Sequence, residues 1–237
     1  MTARRQARGH RARAASTTSV ETSSDLAADR TRALALTPVS RETAERLDRY
    51  VALLFAWQQR MNLIGRSTEV SLWTRHIADS LQLVPLASQA RVWVDLGSGA
   101  GFPGLVIACA LAQVPGAWVH LVESNRKKAA FLQEAARTLG APAEVHAVRI
   151  VDFVDKPPQA IDVVTARALA PLAELLPAAY PLLTTGALGL FPKGQDVDVE
   201  LTEAARCWSI EAELVPSRTD PQGRIVCVKR LQPAGQP

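Results

Sequence analysis

Short apolar runs and longer segments of helical period alternate along most of this chain. The runs fall at 92–95, 118–122, 143–147, 161–166, 187–191, 210–216 and 224–231, and the helical segments at about 104–112, 125–139, 170–182 and 196–207. Most of the runs are largely apolar, as strands are when both faces are buried. Strand–helix alternation of this kind predicts an α/β fold with a doubly wound, mostly parallel sheet of seven strands. The last two runs are joined only by Thr219-Asp220-Pro221-Gln222-Gly223, too short for a crossover helix, so they should form an antiparallel hairpin.

Ahead of the first strand the period is helical. Ser40 is a natural N-cap, with Glu42 and Glu45 in the first turns. Ala44, Leu47, Val51, Leu54 and Phe55, with Gln58 at the edge, form one apolar stripe. The chain breaks around Asn62 to Gly65. A second helix is expected from about Glu69 to Leu83, capped by Thr68, with Leu72, Ile77, Ser80-Leu81 and Val84 inward. The pair should cover one sheet face as an N-terminal cap. The resulting division is a disordered basic tail at 1–37, a helical cap at 38–90, the α/β domain at 91–232 and a flexible end at 233–237. The tail is rich in Ala, Arg, Ser and Thr, without periodicity. Its arginines also resemble an organelle transit peptide, a pattern that Glu21, Asp25 and Asp29 dilute.

The first strand leads into Asp95-Leu96-Gly97-Ser98-Gly99-Ala100-Gly101-Phe102-Pro103-Gly104. Glycines alternate there, and a glycine-rich turn between a strand and a helix exposes bare backbone to a ligand at the carboxyl edge of a sheet. About 19 residues past Gly104 the next strand ends in Glu123, where an acid accepts hydrogen bonds from ribose hydroxyls. Together these point to a nucleoside cofactor. Gly99 to Gly104 formally fits G-x-G-x-x-G, so an NAD-dependent oxidoreductase is one reading. Against it, the match starts two residues late, and Pro103 supplies no N–H where a pyrophosphate would dock. Asp-x-Gly-x-Gly-x-Gly instead resembles the first motif of Rossmann-like, class I S-adenosylmethionine-dependent methyltransferases.

Composition adds limits. The 237 residues are 48% hydrophobic and 21% charged, enough for one large globular domain. No apolar run approaches the ~20 residues of a membrane span. The net charge of +4 and a pI near 9.2 suit an anionic partner such as nucleic acid, although much of the excess lies in the tail. Cys109, Cys207 and Cys227 read as reduced core residues, and the four histidines are scattered, so no metal site is expected.

Cations gather at the carboxyl edge. Arg167 ends the fourth strand, where packing gives it no reason to be. Lys193 ends the fifth and is followed by a glycine. Arg126-Lys127-Lys128 opposes a helix dipole, which suggests phosphate contacts, with Ser124 or Asn125 as the cap. Arg75 and Asp79 stand at i, i+4, a possible ion pair, and His76 should border the crevice.

Asn62-Leu63, Arg75 to Leu81, Asp95 to Gly104, Arg167-Ala168 and Lys193-Gly194-Gln195, in that order, resemble the bacterial small-subunit ribosomal RNA guanine-N7 methyltransferase family, once called glucose-inhibited division protein B. The resemblance covers about residues 40–231. It implies S-adenosylmethionine as cofactor, with Gly97 and Phe102 lining its pocket. Ile150 and Val151, in the loop after the third strand, would flank the adenine, and Arg167 would touch cofactor or target. Asp95, Gly99, Gly101 and Glu123 complete the expected cofactor set. Arg167 and Lys193 are the expected catalytic cations, and Arg75, His76, Arg126, Lys127 and Lys193 the expected substrate contacts. One departure is Glu123, where many relatives have Asp. The implied partner is 16S ribosomal RNA, free or within the small subunit, and the chain is expected to be monomeric and cytoplasmic. A protein that binds RNA but retains only a relict of the cofactor fold is the non-catalytic alternative.

Overall fold

The computed structural model describes residues 24–158 and 160–235. Seven strands form one sheet: β1 Val92–Leu96, β2 Trp118–Val122, β3 Ala143–His146, β4 Val163–Thr165, β5 Leu188–Lys193, β6 Trp208–Pro216 and β7 Arg224–Pro233. Their order is β3-β2-β1-β4-β5-β7-β6. The first five are parallel, β7 runs antiparallel to β5, and β6 pairs antiparallel with β7. The doubly wound sheet with a reversed terminal hairpin is therefore as the periodicity predicts. Chain order reverses between β1 and β4, and in open α/β sheets such a switch point opens a crevice for ligands.

Helices cover both faces. One face carries α2 Arg41–Gln58, α4 Gly104–Leu111 and α5 Arg126–Leu139; the other carries α6 Ile150–Val154, α7 Leu172–Leu183 and α8 Val197–Ala204. In β1 successive residues serve the two cores in turn, Trp93 facing the α4 side and Val94 the α7 side, both fully buried. Ser40 caps α2 as expected, its hydroxyl accepting from the Thr43 amide at 3.2 Å. Asn125, of the two candidates, caps α5 through the amides of Lys127 and Lys128.

Four expectations are corrected. Residues 24–36 form a helix, α1, so the disordered tail cannot run to 37; the rest of that reading, 1–23, lies outside the described residues. The reason is a buried carboxylate. Asp29 is wholly buried on this helix and accepts from the Thr74 amide at 3.0 Å, while Arg30 grips Asp48 of α2 through two bonds of 2.6 and 2.7 Å. The expected helix at 69–83 is instead a 3₁₀ turn at Arg66–Ser71, a π-helical stretch at Trp73–Ala78 and a short α3 at Asp79–Leu81. Thr68 lies inside the 3₁₀ turn and is no cap; its hydroxyl donates to the Gly65 carbonyl. The Arg75 carbonyl accepts from Arg167, a tertiary bond that helical periodicity cannot reveal. Finally, Cys207 is exposed just ahead of β6, whereas Cys109 and Cys227 are buried. At the C-terminus Pro233 still belongs to β7 and the Ala234 amide bonds to the Cys207 carbonyl, so the flexible end does not begin at 233; residues 236 and 237 lie outside the described residues.

Candidate active site

The loop after β1 is held from both sides. The amides of Gly97 and Ser98 donate to the Val122 carbonyl at the tip of β2, at 2.9 and 3.0 Å. Beneath it the Asp95 side chain, fully buried, accepts from the Gly104 amide at 3.0 Å and so fixes the first residue of α4. Its other oxygen is buried without a partner. Burial pushes this carboxyl up to about 7, opposed by the nearby Ser98 hydroxyl, which donates to the Asp95 main-chain carbonyl at 3.0 Å, and by the Gly104 hydrogen bond. From above, the Tyr50 hydroxyl of α2 donates to the Ala100 carbonyl, and its ring packs on Phe102 at 5.5 Å and Phe131 at 6.4 Å. The helical cap thereby shapes the loop.

Gly99 has φ +57°, and a side chain there would face open space, since its nearest neighbour would be the Gly97 carbonyl at 3.8 Å. Its amide donates to Glu123 at 2.9 Å, and the other Glu123 oxygen accepts from Asn125 at 2.7 Å. Each carboxylate oxygen has a second lone pair, so this acid stays able to accept from a ligand's hydroxyls.

Bare backbone and carboxylate face a cleft of about 630 Å³. Gly97, Gly99, Phe102 and Glu123 line its floor, and Ile150 and Val151 one wall. These last two open α6 rather than lying in a loop, and Val151 is 55% exposed. Leu63 to Gly65 form the opposite rim. Gln58, placed by periodicity at the edge of the α2 stripe, shapes that rim: its carbonyl accepts from the Leu63 and Ile64 amides, and its amide donates to the Ile64 carbonyl. Amide side chains that fold a loop carry no sequence pattern, so this role was not foreseen.

A second cleft, of about 490 Å³, lies beside the first at the carboxyl ends of β4 and β5. Arg75, Lys193 and Arg224 give it a basic rim, and Asp79 and Glu200 are also on its lining. Arg167 and His76 line both clefts and so stand at their junction. The Arg167 guanidinium lies 5.5 Å over the Phe102 ring, and the His76 ring stacks on the same ring at 4.8 Å. One terminal nitrogen of Arg167 donates to His76 Nδ1 at 2.7 Å; the other donates to the Arg75 carbonyl at 3.0 Å and Asp79 at 3.2 Å. Arg167 Nε is buried with no partner. Because guanidinium can only donate, His76 Nδ1 must accept, which leaves Nε2–H to donate to Thr68 at 3.1 Å. The ring is accordingly neutral: burial first, then Arg167 and Arg75, lower its pKa to about 3.

The predicted residues thus divide. Gly97, Gly99, Phe102, Glu123, Ile150, Val151 and Arg167 converge on the first cleft, and Arg75, His76, Arg167 and Lys193 on the second. Asp95 and Gly101 line neither cleft. Asp95 braces the loop from below, and a Cβ on Gly101 would meet Leu105 at 2.8 Å. Arg126 and Lys127 are exposed outside both clefts, and of that triplet Lys128 is the residue that lines the first cleft. Asp79 pairs with Arg167, not with Arg75 as the spacing suggested. Lys193 Nζ is already engaged, donating to the Ala170 carbonyl at 2.6 Å and paired with Glu200 at 2.8 Å. The histidines are not all scattered either: His120 and His146 touch across β2 and β3.

Residues 43–224 match the protein family described as rRNA small subunit methyltransferase G. A Bradyrhizobium sp. protein named Ribosomal RNA small subunit methyltransferase G is 59% identical over 216 residues, which span 91% of this chain and 97% of that protein. A Nitrobacter winogradskyi protein of the same name is 60% identical over 199 residues, 84% of this chain and 72% of that one. Among solved structures, the O-methyltransferase from Bacillus cereus in complex with SAH superposes with a TM-score of 0.55 at 14% identity, covering 88% of this chain and all of that one. At such identity the likeness concerns the fold.

Proposed function

Because the chain belongs to the rRNA small subunit methyltransferase G family, we propose that it transfers a methyl group from S-adenosylmethionine to N7 of a guanine in small-subunit (16S) ribosomal RNA. The observation that carries the reading is the junction of the two clefts at Arg167 and His76, both packed on the Phe102 ring. S-adenosylmethionine suits the first cleft, where Gly99 leaves the backbone bare and Glu123 offers carboxylate oxygens to ribose. When bound, it supplies an electrophilic methyl group. The target base suits the second cleft, whose size is typical of small-molecule sites. Arg75 and Arg224 on its rim suit RNA phosphates.

Guanine N7 carries a lone pair and no proton, so the transfer needs no general base. A neutral His76, held by Arg167 and Thr68, fits that demand, because it brings no positive charge to a ring that becomes cationic on methylation. Catalysis then rests on alignment. Arg167 fixes the junction and contacts target or cofactor, while Lys193 positions the 168–171 turn and Arg126 and Lys127 contact phosphates outside the clefts. The protein acts as a monomer, in the cytoplasm. Among the described residues no helix is long and apolar enough to cross a membrane.

The test is Arg167→Ala, assayed with labelled S-adenosylmethionine on small subunits lacking the modification, with the modified nucleotide mapped by mass spectrometry. Cofactor affinity should change less than tenfold, while transfer falls about a hundredfold or more. Wild-type label on any atom other than a 16S guanine N7 refutes the substrate assignment, and full transfer by the variant refutes the role of Arg167.

A further inference from the structure

Away from both clefts, near the far edge of the sheet, three potential ligands share one face. His120 of β2 stands directly opposite Glu144 of β3, and His146 follows two residues later on the same side of the edge strand. His120 Nδ1 and His146 Nε2 are 2.9 Å apart; Glu144 Oε2 is 3.7 Å from the first and 3.8 Å from the second. The carboxylate oxygen is beyond hydrogen-bond reach of both rings, so a hydrogen-bonded triad does not account for all three. A point equidistant from the three atoms lies about 2.0 Å from each, the length of zinc–imidazole and zinc–carboxylate bonds.

We propose that His120, Glu144 and His146 form a binding site for a zinc-type divalent transition ion, distinct from the methyl-transfer site. Two imidazoles and one carboxylate are a borderline donor set suited to zinc and unsuited to magnesium or calcium. His120 is 7% exposed and the Glu144 side chain 56%, so one side of the site is walled and the other opens to water, which supplies the remaining ligand. The wall is the Phe153 ring of α6, 4.9 Å from His146 and 6.3 Å from His120. A bound ion would tie edge strand β3 to β2 beneath the helix whose first residues, Ile150 and Val151, line the cofactor cleft. Sequence spacing hides the site, because 26 residues separate the two histidines and only the parallel register of β2 and β3 brings them together.

The test uses the full chain, stripped with chelator, in a Cys207→Ser background so that the exposed thiol does not compete. Zinc is titrated against a chromophoric chelator, with thermal unfolding followed in parallel and cobalt(II) absorption reporting the geometry. One ion per chain should bind, raise the unfolding midpoint and give tetrahedral cobalt bands without thiolate charge transfer. Glu144→Gln and His146→Ala should each weaken uptake at least about tenfold and abolish the midpoint rise. Glu144 is exposed, so its replacement leaves the fold intact and keeps the test decisive even if His146→Ala unfolds. Zinc uptake unchanged by Glu144→Gln, or no stoichiometric uptake by the parent chain, overturns the proposal.

Discussion

Asp95 sits at the tip of β1 with one oxygen bonded to the Gly104 amide and the other buried and unpartnered. A carboxylate so placed lacks the donors that would compensate its charge, and burial pushes its pKa from 3.8 up to about 7. The native state therefore binds a proton more tightly than the unfolded chain does, and stability must fall as pH rises between those values. At 1.36 kcal/mol per unit, a shift of about 3 units is worth about 4 kcal/mol in all, of which about 2–3 kcal/mol falls between pH 5 and pH 8. Asp95→Asn keeps an acceptor for Gly104 and does not titrate. The assay is urea unfolding of both proteins at intervals from pH 5 to pH 8.5. Wild-type stability minus variant stability should decline by that amount and level off above pH 8. His76 and the remaining groups are common to both and cancel. A difference independent of pH would refute the reasoning, and one that grows with pH would mean that Asp95 is ionised and stabilised by its neighbours.

Other outcomes follow from contacts around the same loop. Gly104→Ala drives a Cβ into Leu121 Cδ2 and places it 2.6 Å from Asp95 Oδ2, so it should cost about 3 kcal/mol or more in urea unfolding; a loss under 1 kcal/mol would show that the loop relaxes freely. Tyr50→Phe removes the bond to the Ala100 carbonyl and should cost about 1–2 kcal/mol while weakening S-adenosylmethionine binding measured by calorimetry. Unchanged cofactor affinity would separate the cap from the loop. Lys193→Ala should destabilise by about 2–4 kcal/mol, because Glu200 would stay half-buried with only the Leu172 amide. In a double-mutant cycle with Glu200→Gln, additive losses would refute a pairing role for Lys193.

The sheet was legible because it is a local property. Largely apolar runs, spaced by helical segments, left little choice but parallel strands, and the short 219–223 turn required the reversed hairpin. Helix α1 and the 66–81 stretch were not legible, for a common reason. Both depend on polar partners distant in the chain, Asp29 with Thr74 and Arg167 with the Arg75 carbonyl, and neither bond leaves a period in the sequence. The π-helical turn sits where that carbonyl receives Arg167, and such turns often occur at functional sites.

The candidate site shows the same division. Residues whose task is to leave backbone bare or to end a strand, such as Gly97, Gly99 and Glu123, announce themselves by spacing alone. Charged residues at strand ends do not, because position says where a side chain starts and not what it meets. Lys193 and Arg167 leave neighbouring parallel strands at the same edge and read alike in sequence. Lys193 meets Glu200 and the Ala170 carbonyl and is consumed by structure. Arg167 is also held, by Asp79, His76 and the Arg75 carbonyl, yet its Nε remains buried without an acceptor between the two clefts. A guanidinium donor left unpaired at a wall shared by the first cleft and the basic second cleft is costly unless something arrives to accept from it. That cost separates the two cations, and it favours the proposed role of Arg167 over one for Lys193.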